Sequence, residues 1–230
     1  MNGLIHSSLY FGMLVSVGAY MLGVWLKKKT GWAILNPLLV AIIVVIAFLS
    51  VFHIEYKEYN RGAVYLGYFL TPATVCLAIP LYKQLELLRQ HLIAVASAIV
   101  AGVAGSVGSI YVMCRFFQLE HTHYVTLLPK SITTAIGMGV SEEAGGIVTL
   151  TVISIIITGI LGNIIADWLF QIFKIEEPIA KGLALGTASH AIGTARAIEM
   201  GPVEGAMSSL AVAVAGLLTV VFVSGFAQLI

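Results

Sequence analysis

The sequence has few charged residues. Asp, Glu, Lys and Arg make up 10% of its 230 residues, whereas hydrophobic residues make up 59% and the mean hydropathy is +1.00. Because an ordinary soluble domain carries about 25% charged residues, this composition indicates a membrane protein. A net charge of +1 without a basic patch also gives no support for nucleic-acid binding, which depends on Lys and Arg contacts with phosphates.

The sequence also lacks the motifs of several catalytic and metal-binding classes. Its two cysteines, Cys76 and Cys114, have no C-x-x-C spacing, so neither a disulfide framework nor a zinc site is predicted. We expect both cysteines to be packing residues. No catalytic triad, phosphate-binding loop or dinucleotide fingerprint stands out, so we expect no enzyme activity, no metal and no cofactor.

Long stretches free of charge recur along the chain. They cover residues 7–26, 34–52, 62–82, 92–114, 145–166 and 205–230. Each contains about 20 residues, which is enough for a helix to cross roughly 30 Å of hydrocarbon. Since no polar linker divides the chain, we predict one all-α, polytopic membrane domain over residues 1–230, with six to eight helical segments and at least six full spans.

Three segments are predicted to be interrupted or re-entrant, near 70–80, 128–140 and 186–200. Pro72, Pro129 and Gly193 motivate this prediction, because Pro and Gly weaken a helix interior. LTPATVCLAI (70–79) also aligns without gaps on LLPKSITTAI (127–136), which suggests an internal repeat of an interrupted helix followed by a plain span. Lipid cannot satisfy backbone polar groups, so interruptions at membrane depth indicate a protein-lined cavity.

The segment GTASHAIGTARAIEMG (186–201) contains two ionisable side chains among small residues, His190 and Arg196. With a helix break near Gly193, both could face one cavity and bind a small anion. The hydroxyl groups of the same segment would complete the site: Thr187, Ser189 and Thr194. The alternative is that Arg196 extends to the membrane interface beside Glu199 and that His190 is a hydrogen-bonded packing residue.

A second candidate site lies at Lys130, where one cation again stands among hydroxyl groups in an interrupted segment. The neighbouring hydroxyls are Ser131, Thr133 and Thr134. The alternative is an interfacial Lys at the start of a helix, because a long Lys side chain can reach the membrane surface.

Four further polar residues are candidates for proton or cation coupling. Glu142 and Glu143 fit this role, but Ser141 with these acids also fits an N-cap and first turn of the next span, which we favour. Asn163 and Asp167 are four residues apart and share one helical face, which could line an interior path. We favour a position at the membrane interface for Asp167, beside Trp168.

Three stretches closely resemble the LrgB family, whose branches include YohK-, CidB- and LrgB-like proteins. They are KGLALGTASHAIGTARAIEMGPVEGAMSSLAVAVAG (181–216), TPATVCLAIPLYKQ (71–84) and LLPKSITTAIGMGVSEEAGGI (127–147). The GTASHAIGTARA block is highly specific. Ala135, where Pro is expected, is a small departure from the pattern.

The resemblance implies a multi-pass protein of the bacterial inner membrane, with a small LrgA/CidA-type membrane protein as partner. It also implies one of two functions, either antiholin- or holin-like regulation of murein hydrolase activity and autolysis, or transport of pyruvate, glycolate or glycerate. We predict transport of small monocarboxylates by alternating access, with regulation as the alternative, because a holin needs no interrupted helices around His190 and Arg196. Arg would bind a carboxylate through two parallel hydrogen bonds, so Arg196→Lys and Arg196→Ala are expected to abolish transport.

Two further possibilities stay open at this point. The chain could be a purely structural partner of the LrgA-type protein, and it could form a homo-oligomer.

Overall fold

The computed structural model describes residues 10–32, 35–76 and 78–230, and the regular structure of these residues is helical. This confirms the predicted all-α class. The chain divides into two compact units, Met1–Cys76 and Leu77–Ile230.

The first unit contains four described helices. They are α1 (Phe11–Thr30), α2 (Pro37–Val51), α3 (Tyr56–Gly67) and α4 (Leu70–Cys76). α2 begins at Pro37 because the Asn36 side chain accepts hydrogen bonds from the first backbone N–H groups, at 2.9 and 3.3 Å. α1 packs against α2 and α3, and Ser16 Oγ lies 2.7 Å from the Tyr59 hydroxyl.

The second unit contains the remaining helices. They are α5 (Ala78–Lys83), α6 (Leu85–Gln90), α7 (Leu92–Phe116), α8 (His121–Leu127), α9 (Thr134–Glu143), α10 (Val148–Ile172), α11 (Pro178–Met200), α12 (Pro202–Phe226) and a 3₁₀ turn (Ala227–Leu229). α11 and α12 pack along each other, both contact α7, and α10 packs against α11. Gly186 permits the close approach of α12, because a Cβ there would meet the Ser208 backbone.

The core of the second unit lies between α7 and α12. Val95, Ile99, Val103 and Val107 are buried at every fourth position of α7, so they form one face of that helix. Cys114 continues this buried face, which confirms its packing role. The same prediction is wrong for Cys76, which is exposed at the end of α4.

Fewer helices than predicted have the length and apolarity to cross a membrane. In the described residues three qualify: Leu92–Phe116, Val148–Ile172 and Pro202–Leu229. The apolar helix α2 is shorter, and part of the 7–26 stretch lies outside the described residues. The 62–82 stretch is not one span, because α3 ends at Gly67 and Pro72 lies in the first turn of α4, where a missing N–H is tolerated.

Two of the three predicted interruptions lie in described residues and are confirmed. Residues 128–133 separate α8 from α9, and α11 is broken at His190. The third, near 70–80, contains Leu77, which lies outside the described residues.

Hydrogen bonds of hydroxyl groups connect the interrupted segment 121–143 to the N-terminal end of α10. Thr151 Oγ1 lies 2.9 Å from the Thr126 carbonyl oxygen and 2.6 Å from Ser141 Oγ. The Ile147 N–H donates to Thr126 Oγ1 at 2.8 Å. These contacts satisfy backbone groups that an interrupted helix leaves without an intrahelical partner.

The predicted N-cap at Ser141 is wrong. Ser141, Glu142 and Glu143 form the last turn of α9, and α10 begins only at Val148, five residues after Glu143. Gly145 ends α9 because it adopts φ +79°, a left-handed conformation that glycine tolerates best.

Candidate functional site

The break in α11 lies at His190, three residues before the position expected from Gly193. His190 has φ 42° and ψ −139° inside an otherwise helical segment. The other described non-glycine residues with positive φ, His53, Gln118 and Lys174, all follow helix ends, where left-handed residues are common. The His190 conformation is therefore a local strain of about 1–3 kcal/mol that the surrounding packing must hold in place.

Helix α10 provides that packing. The His190 side chain is 3% exposed, and its Nε2 lies 3.0 Å from the Ile155 carbonyl oxygen. Since a carbonyl can only accept, Nε2 carries a proton and donates it. The ring occupies the space above Gly159, where a Cβ would lie 2.8 Å from His190 Cε1. His190 is thus a hydrogen-bonded packing residue, as the alternative interpretation expected.

Other polar groups satisfy the backbone around the break. Thr194 Oγ1 donates to the His190 carbonyl at 3.0 Å and lies 2.8 Å from Ser208 Oγ of α12. Asn163 Nδ2 of α10 donates to the Ile192 carbonyl at 3.0 Å. These contacts hold the second half of α11 between α10 and α12.

Arg196 forms two ion pairs further along the second half of α11. It donates to Asp167 of α10, and its Nη1 donates to Glu199 Oε2 at 2.7 Å. The Arg196 side chain is 26% exposed and that of Asp167 is 44% exposed. Arg196 thus lies beside Glu199, as the alternative interpretation expected, whereas a position of Asp167 at the membrane interface stays a prediction.

The structure does not bring His190 and Arg196 into one pocket, and a role of either residue in substrate binding stays a prediction. A cavity of about 1080 Å³ does lie in the second unit, but neither residue lines it, and neither does Thr194. The break turns His190 toward α10, and two carboxylates hold Arg196 elsewhere.

The cavity has a polar end near the middle of α7 and α10. Its hydroxyl and ammonium groups are Ser106, Lys130, Ser131, Thr158, Thr187 and Ser189. Four of these six side chains were predicted from the sequence, and they come from both candidate segments. Ser106 and Thr158 were not predicted, because a single hydroxyl within a charge-free apolar stretch resembles the many that only bond to their own helix.

Lys130 is the cation of this polar end. Its Nζ lies 3.1 Å from Ser131 Oγ and 3.5 Å from Ser106 Oγ. Ser106 Oγ also donates to Ser131 Oγ at 2.9 Å, so Ser131 accepts twice and keeps its own proton to donate. In the described part of the chain, Lys130 meets hydroxyl groups rather than carboxylates. Such a group of donors suits an anion.

The remaining candidates lie outside the cavity. Thr133 and Thr134 begin α9 and are partly buried, and neither lines the cavity. Glu142 and Glu143 are exposed at the end of α9. A role in coupling for these acids, Asn163 or Asp167 stays a prediction. The described residues contain no group of three or more His, Cys, Asp or Glu side chains that could hold a metal ion.

The chain is similar to known proteins over nearly its whole length. The LrgB-like family matches residues 16–229. The chain is 41% identical over 222 residues to the antiholin-like protein LrgB of Bacillus subtilis (strain 168), covering 96% of each chain. It is 42% identical over 218 residues to the antiholin-like protein LrgB of Bacillus mycoides (strain KBAB4), covering 94% of this chain and 95% of that relative. No solved structure matches the chain.

Proposed function

Because the chain belongs to the LrgB-like family, we propose that it is an antiholin-like protein of the bacterial inner membrane that regulates murein hydrolase activity and autolysis. The names of relatives that match more than nine-tenths of the chain support this function. They favour the alternative predicted from the sequence over transport. A small LrgA/CidA-type membrane protein is the proposed partner.

A second candidate function, transport of small monocarboxylates such as pyruvate or glycolate, has support from the cavity. The supporting observation is its polar end, where Lys130 stands with Ser106 and Ser131 near the middle of two long apolar helices. A carboxylate at Lys130 would replace contacts with water by a charge-assisted hydrogen bond and hydroxyl donors. Binding sites of secondary transporters commonly lie at this depth, beside discontinuous helices such as α11.

Flux and leakage measurements in proteoliposomes separate the two functions. Purified protein is reconstituted with and without the LrgA/CidA-type partner, and uptake of labelled pyruvate and glycolate is compared with release of an encapsulated dye. Saturable uptake without dye release supports transport. Uptake equal to that of empty liposomes under both conditions contradicts it.

The regulatory function is tested in cells. A strain lacking the gene is compared with strains that carry the wild-type gene or the Lys130→Met variant, and the rate of detergent-induced autolysis is measured. We expect deletion to change this rate and the wild-type gene to restore it. Equal rates in the deletion and wild-type strains would contradict the regulatory proposal, whatever the flux experiment shows.

A further inference from the structure

The cavity in the second unit is much larger than a small carboxylic acid. Its volume of about 1080 Å³ is slightly above the range of about 300–1,000 Å³ for pockets that hold drug-sized ligands. An acid of two or three carbons displaces only a few waters of about 30 Å³ each. The size therefore indicates a longer occupant.

Polar and apolar groups occupy different parts of the cavity. Beyond the polar end, the walls along α7 and α10 are apolar: Ala94, Ala98, Leu161, Ile165, Leu169 and Phe170. From Ser106 to Ala94 the wall extends twelve residues along α7, or about 18 Å. A linear alkyl chain would bury its surface against this wall.

The charged residues that line the cavity determine how an anionic ligand is oriented in it. Lys130 lies at the polar end, whereas Glu177, a carboxylate, lines the cavity at the start of α11 together with His91 at the start of α7. An anionic group is therefore attracted to Lys130 and repelled by Glu177. One cation suits a single negative charge.

We propose that this cavity binds a linear alkyl carboxylate of medium chain length, with its carboxylate at Lys130 and its chain along the apolar wall of α7 and α10. The proposal rests on the same Lys130 anion site as the transport function, but it names a different ligand class and does not require transport. Binding would be strengthened by each methylene that enters the apolar part.

Binding of labelled decanoate to purified protein in lipid nanodiscs tests the proposal, with empty nanodiscs subtracted. We expect saturable binding that Lys130→Met weakens at least tenfold and Lys130→Arg weakens less than threefold. Competitors of increasing length, from acetate through butyrate and octanoate to decanoate, should gain about twofold to fourfold in affinity per methylene at a given free aqueous concentration. Decanol, which has the chain without the charge, should compete at least tenfold more weakly than decanoate.

A variant that fills the apolar wall tests the position of the chain. Ala98→Phe should weaken decanoate binding at least fivefold, and it should weaken decanoate binding more than acetate binding. Ala96→Phe is the matched control, because Ala96 is exposed on the same helix and does not line the cavity. Thermal unfolding of each variant shows whether it is folded.

Each remaining outcome has a defined meaning. Affinities that do not rise with chain length, while acetate still depends on Lys130, would overturn the inference and leave the small-acid site intact. Decanoate binding that is equal in wild type and Lys130→Met would show lipid-like partitioning and would overturn the inference. Failure of every acid to bind, with pyruvate and glycolate included among the competitors, would overturn it together with the transport proposal.

Discussion

Lys130 and Arg196 are two cations in broken segments of the same unit, and they differ in their partners. Arg196 pairs with Asp167 and Glu199, whereas Lys130 contacts Ser106 and Ser131 and lines a cavity. A carboxylate ligand would have to displace two negative charges from Arg196 but none from the described partners of Lys130. The comparison predicts that the partners of a cation in an apolar segment, more than its sequence context, determine whether it can bind a ligand.

The largest expected effect is the loss of carboxylate affinity when Lys130 is replaced, and replacement of Arg196 is its comparison. Lys130→Met should lower carboxylate affinity about tenfold to a hundredfold, because a charge-assisted hydrogen bond contributes about 1.5–3 kcal/mol. Arg196→Met should lower it less than about threefold. Equilibrium binding of labelled acids measures both. A larger loss in the Arg196 variant would reverse the comparison and restore the hypothesis drawn from the sequence.

The next largest effect concerns the contact between Gly159 of α10 and His190, the residue at which α11 is broken. Gly159→Ala should destabilise the protein by about 1–3 kcal/mol, because the added Cβ would crowd both the His190 ring and Ile192. Gly105→Ala in α7 is the matched control, since a Cβ there meets nothing within 4 Å. Unfolding in mixed micelles measures both variants. Equal stability would show that α11 does not depend on this contact.

A smaller effect is expected for the ion pair that holds Arg196. A double-mutant cycle with Arg196→Met and Asp167→Asn should give a coupling free energy of about 0.5–1 kcal/mol, because both side chains are partly exposed and water screens them. The free energy of unfolding of the four proteins supplies the cycle. Zero coupling would mean that Arg196 is not held by Asp167, and it would weaken the contrast with Lys130.

The smallest effect is expected at the end of α9. Glu142→Gln and Glu143→Gln should each change carboxylate affinity and unfolding free energy by less than about 0.5 kcal/mol, as for most exposed positions. The same binding and unfolding measurements apply. A strong loss of carboxylate uptake into proteoliposomes at unchanged affinity would instead support the predicted role in ion or proton coupling.

The sequence predicts features that depend on local composition. The all-α class follows from hydropathy, and the interruption after Leu128 follows from Pro129. Lys130 and Ser131 could be found because a cation in an apolar segment is conspicuous. The 62–82 stretch shows the limit of this reasoning, since a lack of charge does not join α3 and α4 into one helix.

Features that depend on another helix could not be found in this way. The break lies at His190 because α10 offers the Ile155 carbonyl and the space above Gly159. Gly193, which suggested the break, is instead needed where the chain passes close to the Leu185 carbonyl. The partners of Arg196 likewise depend on α10, and no local pattern indicates that Asp167 reaches it.

The hydroxyl contacts between α8 and α10 have a consequence for biosynthesis. α8 and α9 are about 10 and 15 Å long, too short to cross the bilayer singly. The groups that fasten them, Thr151 and the Ile147 N–H, follow them in the chain and leave the ribosome later. The hydrogen bonds that join segment 121–143 to α10 can therefore form only after the first turn of α10 has been synthesised, so the preceding helices depend on a later part of the chain to complete their contacts.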